Sequence, residues 1–167
     1  MWKGRKSAFA AVGRISPNYF VQDGVIPRSK IAKVPREIEE MGHRAGLRVA
    51  NVFHAGDGNL HPLVLYDAKI PGQEKAAEEI GGEILRMCIR EGGSITGEHG
   101  VGADKAVYMG EMFSEGDLET MSLVRCAFDP ETRMNPGKVF PTPRLCGDRP
   151  GPHRPHATEL SGEAWRE

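Results

Sequence analysis

LRVANVFHAGDGNLHPLVLY, residues 47–66, is the stretch whose reading decides the fold. Leu47 to His54 is rich in Val, Leu and Phe and reads as a strand. Ala55-Gly56-Asp57-Gly58-Asn59 is dense in turn formers, and Asp-Gly between apolar runs is a strong hairpin signal. Leu60 to Tyr66 is then the returning strand. A hairpin in mid-chain fixes one antiparallel pair, and the flanks must supply the neighbours and the cover.

Upstream, Tyr19–Ile26 reads as a strand with Gly24 as its weak point, and residues 2–12 as a short helix. Between this strand and the hairpin, Ile31, Val34, Ile38, Met41 and Ala45 recur at spacings of 3 and 4, a helix stripe. Ser29 is an N-cap candidate, Pro35 either kinks this helix or marks its real start, and Gly46 can end it. Downstream, Pro71-Gly72 precedes a second helix over Gln73–Glu91, whose apolar face is Ala76, Ala77, Ile80, Ile84, Leu85, Cys88 and Ile89. Gly81 and Gly82 weaken it by about 1 kcal/mol each relative to Ala. After Gly92-Gly93, Ser94–Gly97 reads as a short fourth strand. The order is β-α-β-β-α-β, so the expected fold is α+β: a ferredoxin-like antiparallel sheet with two helices on one face. Two further helices, about 104–112 and 114–128, follow, the second opened by Ser114 and Asp117 in a capping-box spacing and striped by Leu118, Met121, Val124 and Phe128. The expected division is one domain over 1–146 and a Pro-rich, disordered tail over 147–167.

Composition narrows the class of function. Lys+Arg 22 against Asp+Glu 23 leaves a net charge of -1, which gives no electrostatic case for nucleic acid or an anionic membrane surface. No apolar run approaches the ~20 residues of a membrane span. Cys88, Cys126 and Cys146 are odd in number and widely spaced, which reads as a reducing, cytoplasmic setting without a disulfide framework.

Two segments carry the chemistry. His54 and His61 flank the hairpin turn, so both imidazoles can reach one point, and imidazole suits ions such as Zn, Mn or Fe. The other reading is two hydrogen-bonded strand-end histidines around an ordinary turn. Gly97-Glu98-His99-Gly100 lies at the end of the fourth strand, where Glu98 can join the two imidazoles as a carboxylate ligand and His99 stands by as a titratable base. A solvated Glu-His pair in a Gly-rich loop is the alternative. Arg5 offers a guanidinium for a carboxylate, or belongs to a solvated basic helix face with Lys3 and Lys6. Asn135-Pro136-Gly137-Lys138 is a turn, and neither a Walker loop nor a G-x-G-x-x-G fingerprint is present.

These segments, with Trp2-Lys3-Gly4-Arg5-Lys6, NYFVQDGVIP at 18–27, HAGDGNLH at 54–61, GGSITGEHGVG at 92–102 and FDPETRMNPGKVFPTPRLC at 128–146, resemble the C-terminal part of FAD-linked oxidases of the vanillyl-alcohol-oxidase type. The resemblance is strongest to members of the glycolate oxidase kind, with D-lactate and D-2-hydroxyglutarate dehydrogenases further off. It implies the substrate- and metal-binding half of an FAD-dependent 2-hydroxyacid oxidoreductase that makes a 2-oxo acid. By motif it implies metal ligands at His54, His61 and Glu98, a catalytic base at His99, a carboxylate-binding Arg5 and a cofactor-side Asn135. Phe9 and Val21 stand where more distant members have Thr and Lys, which implies a small substrate. FAD would be held mostly by a domain that nothing here resembles, so the chain reads as a C-terminal fragment. The resemblance also implies an FAD-binding partner, an iron–sulfur electron-transfer subunit, and a cytoplasmic location, peripheral at the inner membrane through those partners. The alternative is a non-catalytic assembly piece that complements a separate FAD-binding chain.

Overall fold

A computed structural model describes residues 7–141. Arg5, Cys146 and the 147–167 tail lie outside the described residues. In chain order the elements are α1 (Ala8–Val12), β1 (Asn18–Val21), β2 (Gly24–Val25), α2 (Val34–Arg44), β3 (Arg48–His54), β4 (Asn59–Tyr66), α3 (Gln73–Arg90), α4 (Met109–Met112) and α5 (Glu115–Phe128).

β4 is the spine. β3 pairs along one edge, from Arg48 opposite Leu65 to His54 opposite Asn59. β1 and β2 share the other edge, with Phe20 opposite Val64 and Gly24 opposite Leu60. Every pairing is antiparallel. The expected strand over 19–26 is therefore two strands in one lane, interrupted at Gln22 and Asp23. The expected fourth strand is reduced to a single antiparallel bridge between Val25 and Ser94. Its lane is still the one a ferredoxin-like sheet requires, outside β2, but the chain leaves it at once because residues 96–99 turn towards Asp23 instead of continuing a ladder.

α2 and α3 cover one face of the sheet. Val34, Ile38 and Met41 of α2 and Ala77, Ile80, Ile84 and Cys88 of α3 pack on Leu60 and Val64, with Phe20 and Val49 at the margin. At roughly 1.5–3 kcal/mol for each fully buried aliphatic side chain, this layer supplies most of the fold's cohesion. Pro35 sits in the first turn of α2, where its missing N–H costs nothing, so it marks the start and not a kink. Ser29 falls instead in a 3-10 turn, Arg28–Lys30, and caps nothing. Gly81 and Gly82 give α3 close approach on two sides: a Cβ would meet the Phe20 ring at 2.6 Å from Gly81 and run into the Tyr108 hydroxyl from Gly82. The opposite sheet face carries a smaller cluster, Val12, Leu63 and Leu65 with Val21, Ala50 and Val52.

The C-terminal elements differ more from expectation. Residues 104–112 form a 3-10 turn, Ala106–Tyr108, and one helical turn, α4. α5 is opened by the Ser114–Asp117 capping box, as the sequence suggests. Of its stripe, Leu118 and Met121 pack with Leu85, Ile95 and Met109, whereas Val124 and Phe128 are exposed. Cys88 is a buried free thiol, its pKa pushed up to about 12 by burial. Cys126 is disulfide-bonded, which corrects the expectation of cysteines without disulfides. Spacing along a chain does not report the Cα separation on which bridging depends.

Candidate metal centre

Strand alternation places His54, Asn59 and His61 on the sheet face away from α2 and α3. His54 ends β3 opposite Asn59, and Val52 lies opposite His61. Side chains directly opposite on antiparallel strands share a face. The turn between them is tight: the Gly58 amide donates to the His54 carbonyl at 3.0 Å, and the Asn59 amide to Asp57 Oδ1 at 3.2 Å. Gly58 has φ +82, and any Cβ there would collide with the Ile26 carbonyl. Its glycine is a steric requirement of bringing β2's exit against the turn.

Glu98 meets both imidazoles. His54 Nε2 lies 3.4 Å from Glu98 Oε1, and His61 Nε2 lies 3.9 Å from Glu98 Oε2. The two rings sit edge to face, centroids 5.3 Å apart at 84°. His99 stacks on His61 at 5.2 Å and 25°. One ligand atom from each of His54, His61 and Glu98 falls within 4.8 Å of the others, the span of a shared divalent ion.

Glu98 and His99 are set by a residue the hairpin does not contain. Asp23, fully buried at the break between β1 and β2, accepts hydrogen bonds from the Thr96 hydroxyl at 2.8 Å and from the Gly97, Glu98 and His99 amides at 3.0, 3.2 and 2.9 Å. Burial alone would raise its pKa. The donors, led by the His99 amide and the Thr96 hydroxyl, outweigh burial and hold the carboxyl well below the usual range. Lys105 Nζ donates to the Asp23 carbonyl at 2.9 Å and lies 3.4 Å from Oδ2. Burial lowers the pKa of Lys105, and Asp23 opposes that shift.

His61, buried beside this carboxylate, has its pKa lowered by desolvation against the opposing pull of Asp23 and Glu98. A neutral imidazole with a free lone pair is the form a metal takes. Asn59 Nδ2 lies 3.5 Å from His61 Nε2, and Asn59 Oδ1 is buried with no hydrogen-bond partner among the described residues. An orphaned buried oxygen beside two imidazoles and a carboxylate fits a divalent ion. Asp23, His61 and His99 form a second group of similar span. Most of the Asp23 acceptor capacity is committed to the 96–99 loop, so the His54–His61–Glu98 set is the better cradle.

A model of the FAD linked oxidases, C-terminal domain, matches residues 1–139. The chain belongs to this family. It is 50% identical over 155 residues to glycolate oxidase subunit GlcD of Escherichia coli, a match covering 93% of this chain and 31% of that protein. It is 36% identical over 138 residues to the Bacillus subtilis glycolate oxidase subunit GlcD, covering 83% and 29% of the two. To the mitochondrial D-lactate dehydrogenase [cytochrome] of Arabidopsis thaliana it is 31% identical over 148 residues, covering 87% and 26%. The chain thus spans about a third or less of the length of these curated relatives.

In this FAD-linked oxidase domain the structure brings His54, His61, Glu98 and His99 together. Asn135 is not drawn into that cluster: it is exposed, with φ 47, in a turn tethered to α5 by Arg125, whose Nη2 reaches the Asn135 carbonyl at 3.1 Å. Sequence reasoning missed Asp23, Asn59 and Lys105. Asp23 had a signal, since Gln-Asp-Gly is poor strand chemistry in the middle of an apparent strand. Lys105 had none.

Proposed function

We propose that this chain supplies the substrate- and metal-binding half of an FAD-dependent oxidoreductase that converts a small 2-hydroxy acid, of glycolate or D-lactate size, to its 2-oxo acid. The observation that carries this reading is the His54–His61–Glu98 triad with His99 stacked beside it. The names of the relatives supply the substrate class.

His54, His61 and Glu98 would hold a divalent ion, Zn, Mn or Fe, through two imidazole nitrogens and a carboxylate oxygen. When bound, such an ion lowers the pKa of a coordinated hydroxyl and fixes its orientation. His99 accepts the hydroxyl proton, and its stacking on His61 keeps the ring within the cluster. Arg5 binds the substrate carboxylate in bidentate fashion. Val21 packs among Leu63 and Leu65 and brings no cation to that face, which supports a substrate with one carboxylate. FAD, held mostly outside this chain, supplies the hydride acceptor, and the exposed Asn135 is this chain's contact on the flavin side. Residues 1–146 form the functional domain in this reading, and 147–167 a tail. The partners would be an FAD-binding chain or domain and an iron–sulfur subunit, in the cytoplasm or at the inner membrane through those partners. No helix of the described residues is long and apolar enough to cross a membrane.

The test is co-expression with an FAD-binding chain from the same gene neighbourhood, followed by a dye-reduction assay with glycolate and D-lactate. Turnover should require both chains and should fall at least ~100-fold in Glu98→Gln, since a positioned ligand and its ion together carry several kcal/mol of the barrier. Turnover that ignores both a chelator and Glu98→Gln sinks the reading.

A further inference from the structure

We infer that Asp23, with Lys105 as its buried counter-cation, is the positioning pair of this site: the Asp23 carboxylate folds residues 96–99 around itself and so fixes where Glu98 and His99 stand. The inference deepens the proposed metal and substrate reading and rests on it for its functional meaning.

The geometry is that of a loop wrapped on an anion. Oδ2 alone accepts from the Thr96 hydroxyl at 2.8 Å and from the Gly97 and His99 amides at 3.0 and 2.9 Å, and both oxygens lie 3.2 Å from the Glu98 amide. Three consecutive amides on one carboxylate leave their peptide planes little freedom, so the Cα–Cβ directions of Glu98 and His99 are set with them. These bonds join residues 73 to 76 positions apart, and among the described residues the loop's backbone meets the sheet otherwise at a single bridge, Val25 to Ser94. The strand break is part of the device. Gln22 keeps one sheet bond, to the Pro62 carbonyl at 3.1 Å, and β2 resumes at Gly24, so Asp23 alone is turned out of the ladder.

The remaining oxygen faces the metal set. Asp23 Oδ1 lies 4.0 Å from His61 Nδ1, too long for a hydrogen bond but close enough to favour a proton on Nδ1. That tautomer leaves Nε2, the nitrogen nearest Glu98, with the lone pair. Gly97 is fitted to the same purpose. A Cβ there would lie 2.7 Å from the Asn59 amide group, so the loop can close on Asn59 only through a glycine.

A carboxylate is required because an amide in its place would turn its own N–H donors against several backbone N–H donors. The experiment compares the full-length chain with Asp23→Asn by site-resolved amide hydrogen exchange and by Co2+ titration with visible spectroscopy. In the variant the Gly97, Glu98 and His99 amides should exchange at least ~10-fold faster while Leu63, Val64 and Leu65 keep their protection. The Co2+ dissociation constant should rise about 10–100-fold, with a shifted d–d band. Unchanged exchange at those three amides in the folded variant overturns the inference. If Asp23→Asn does not fold, the Asp23→Asn/Lys105→Met double variant leaves neither charge buried alone and is read by the same criteria. Failure of the unmodified chain to bind Co2+ would overturn the metal reading instead, and the exchange data would still decide whether Asp23 holds the loop.

Discussion

The two halves of β4 are equally buried and chemically opposite. Leu63, Val64 and Leu65 are 0%, 0% and 6% exposed, and Asn59 and His61 are 3% and 6% exposed. The first half faces aliphatic side chains on both sides of the sheet. The second places an imidazole and an orphaned amide oxygen against a carboxylate. An unsatisfied buried polar atom costs about 1–3 kcal/mol. One strand thus carries both fully buried apolar side chains and a polar end that stability alone would not select. The contrast separates what holds this domain together from what it is for.

The strongest way to break the contrast is in the apolar half. Leu63→Ala empties a fully enclosed site and should cost about 2–5 kcal/mol in urea unfolding, while the folded fraction keeps its Co2+ affinity. A large loss of affinity at full folding would show that the halves are not separable. The complementary substitution, His61→Leu, keeps volume and removes the buried imidazole. Stability should change by less than ~1.5 kcal/mol, or rise, while Co2+ binding disappears. A strong destabilisation there would mean that His61 is a structural hydrogen-bonding residue and not a ligand.

Much of the apolar half was legible in the sequence, and only part of the polar half. The hairpin, both long helices and the capping box at Ser114 follow from short-range chemistry: periodicity, turn residues and a side chain reaching three positions along. His54 and His61 were legible because a tight turn forces the two ends of a short segment together. Asp23 was legible only as a break in the strand, since Gln-Asp-Gly marks the interruption but its partners lie more than 70 residues away and leave no local pattern of their own. The same is true of the fourth strand. Ser94–Gly97 has strand-like composition, but an anion held by Lys105 takes the Thr96 hydroxyl and the Gly97 amide in place of a continued ladder. The exposed Val124 and Phe128 show the limit of the helix stripe as a signal: periodicity marks a face but not whether the described residues cover it.

A gentler prediction sharpens the contrast from the helix side, where charge serves stability and not chemistry. Glu91 caps the C-terminal end of α3, where the helix dipole disfavours an anion. Lys33 at 2.7 Å and Lys30 at 2.9 Å, from the approach to α2, compensate and clasp the two helices together. Their hydrogen bonds, Lys33 first, hold the Glu91 carboxyl at about 2, below its ordinary 4.5. A carboxylate depressed in the folded state contributes stability that is present above pH 4.5 and lost as pH falls towards 2. Urea midpoints should therefore drop across that window, and Glu91→Gln should flatten the slope. Because the lysines are exposed, added salt should shrink the effect. Asp23, held low by its own donors, should leave a salt-insensitive slope of its own as pH falls, so the test is the difference: a slope that Glu91→Gln and high salt leave wholly unchanged would show that Glu91 contributes none of the acid response.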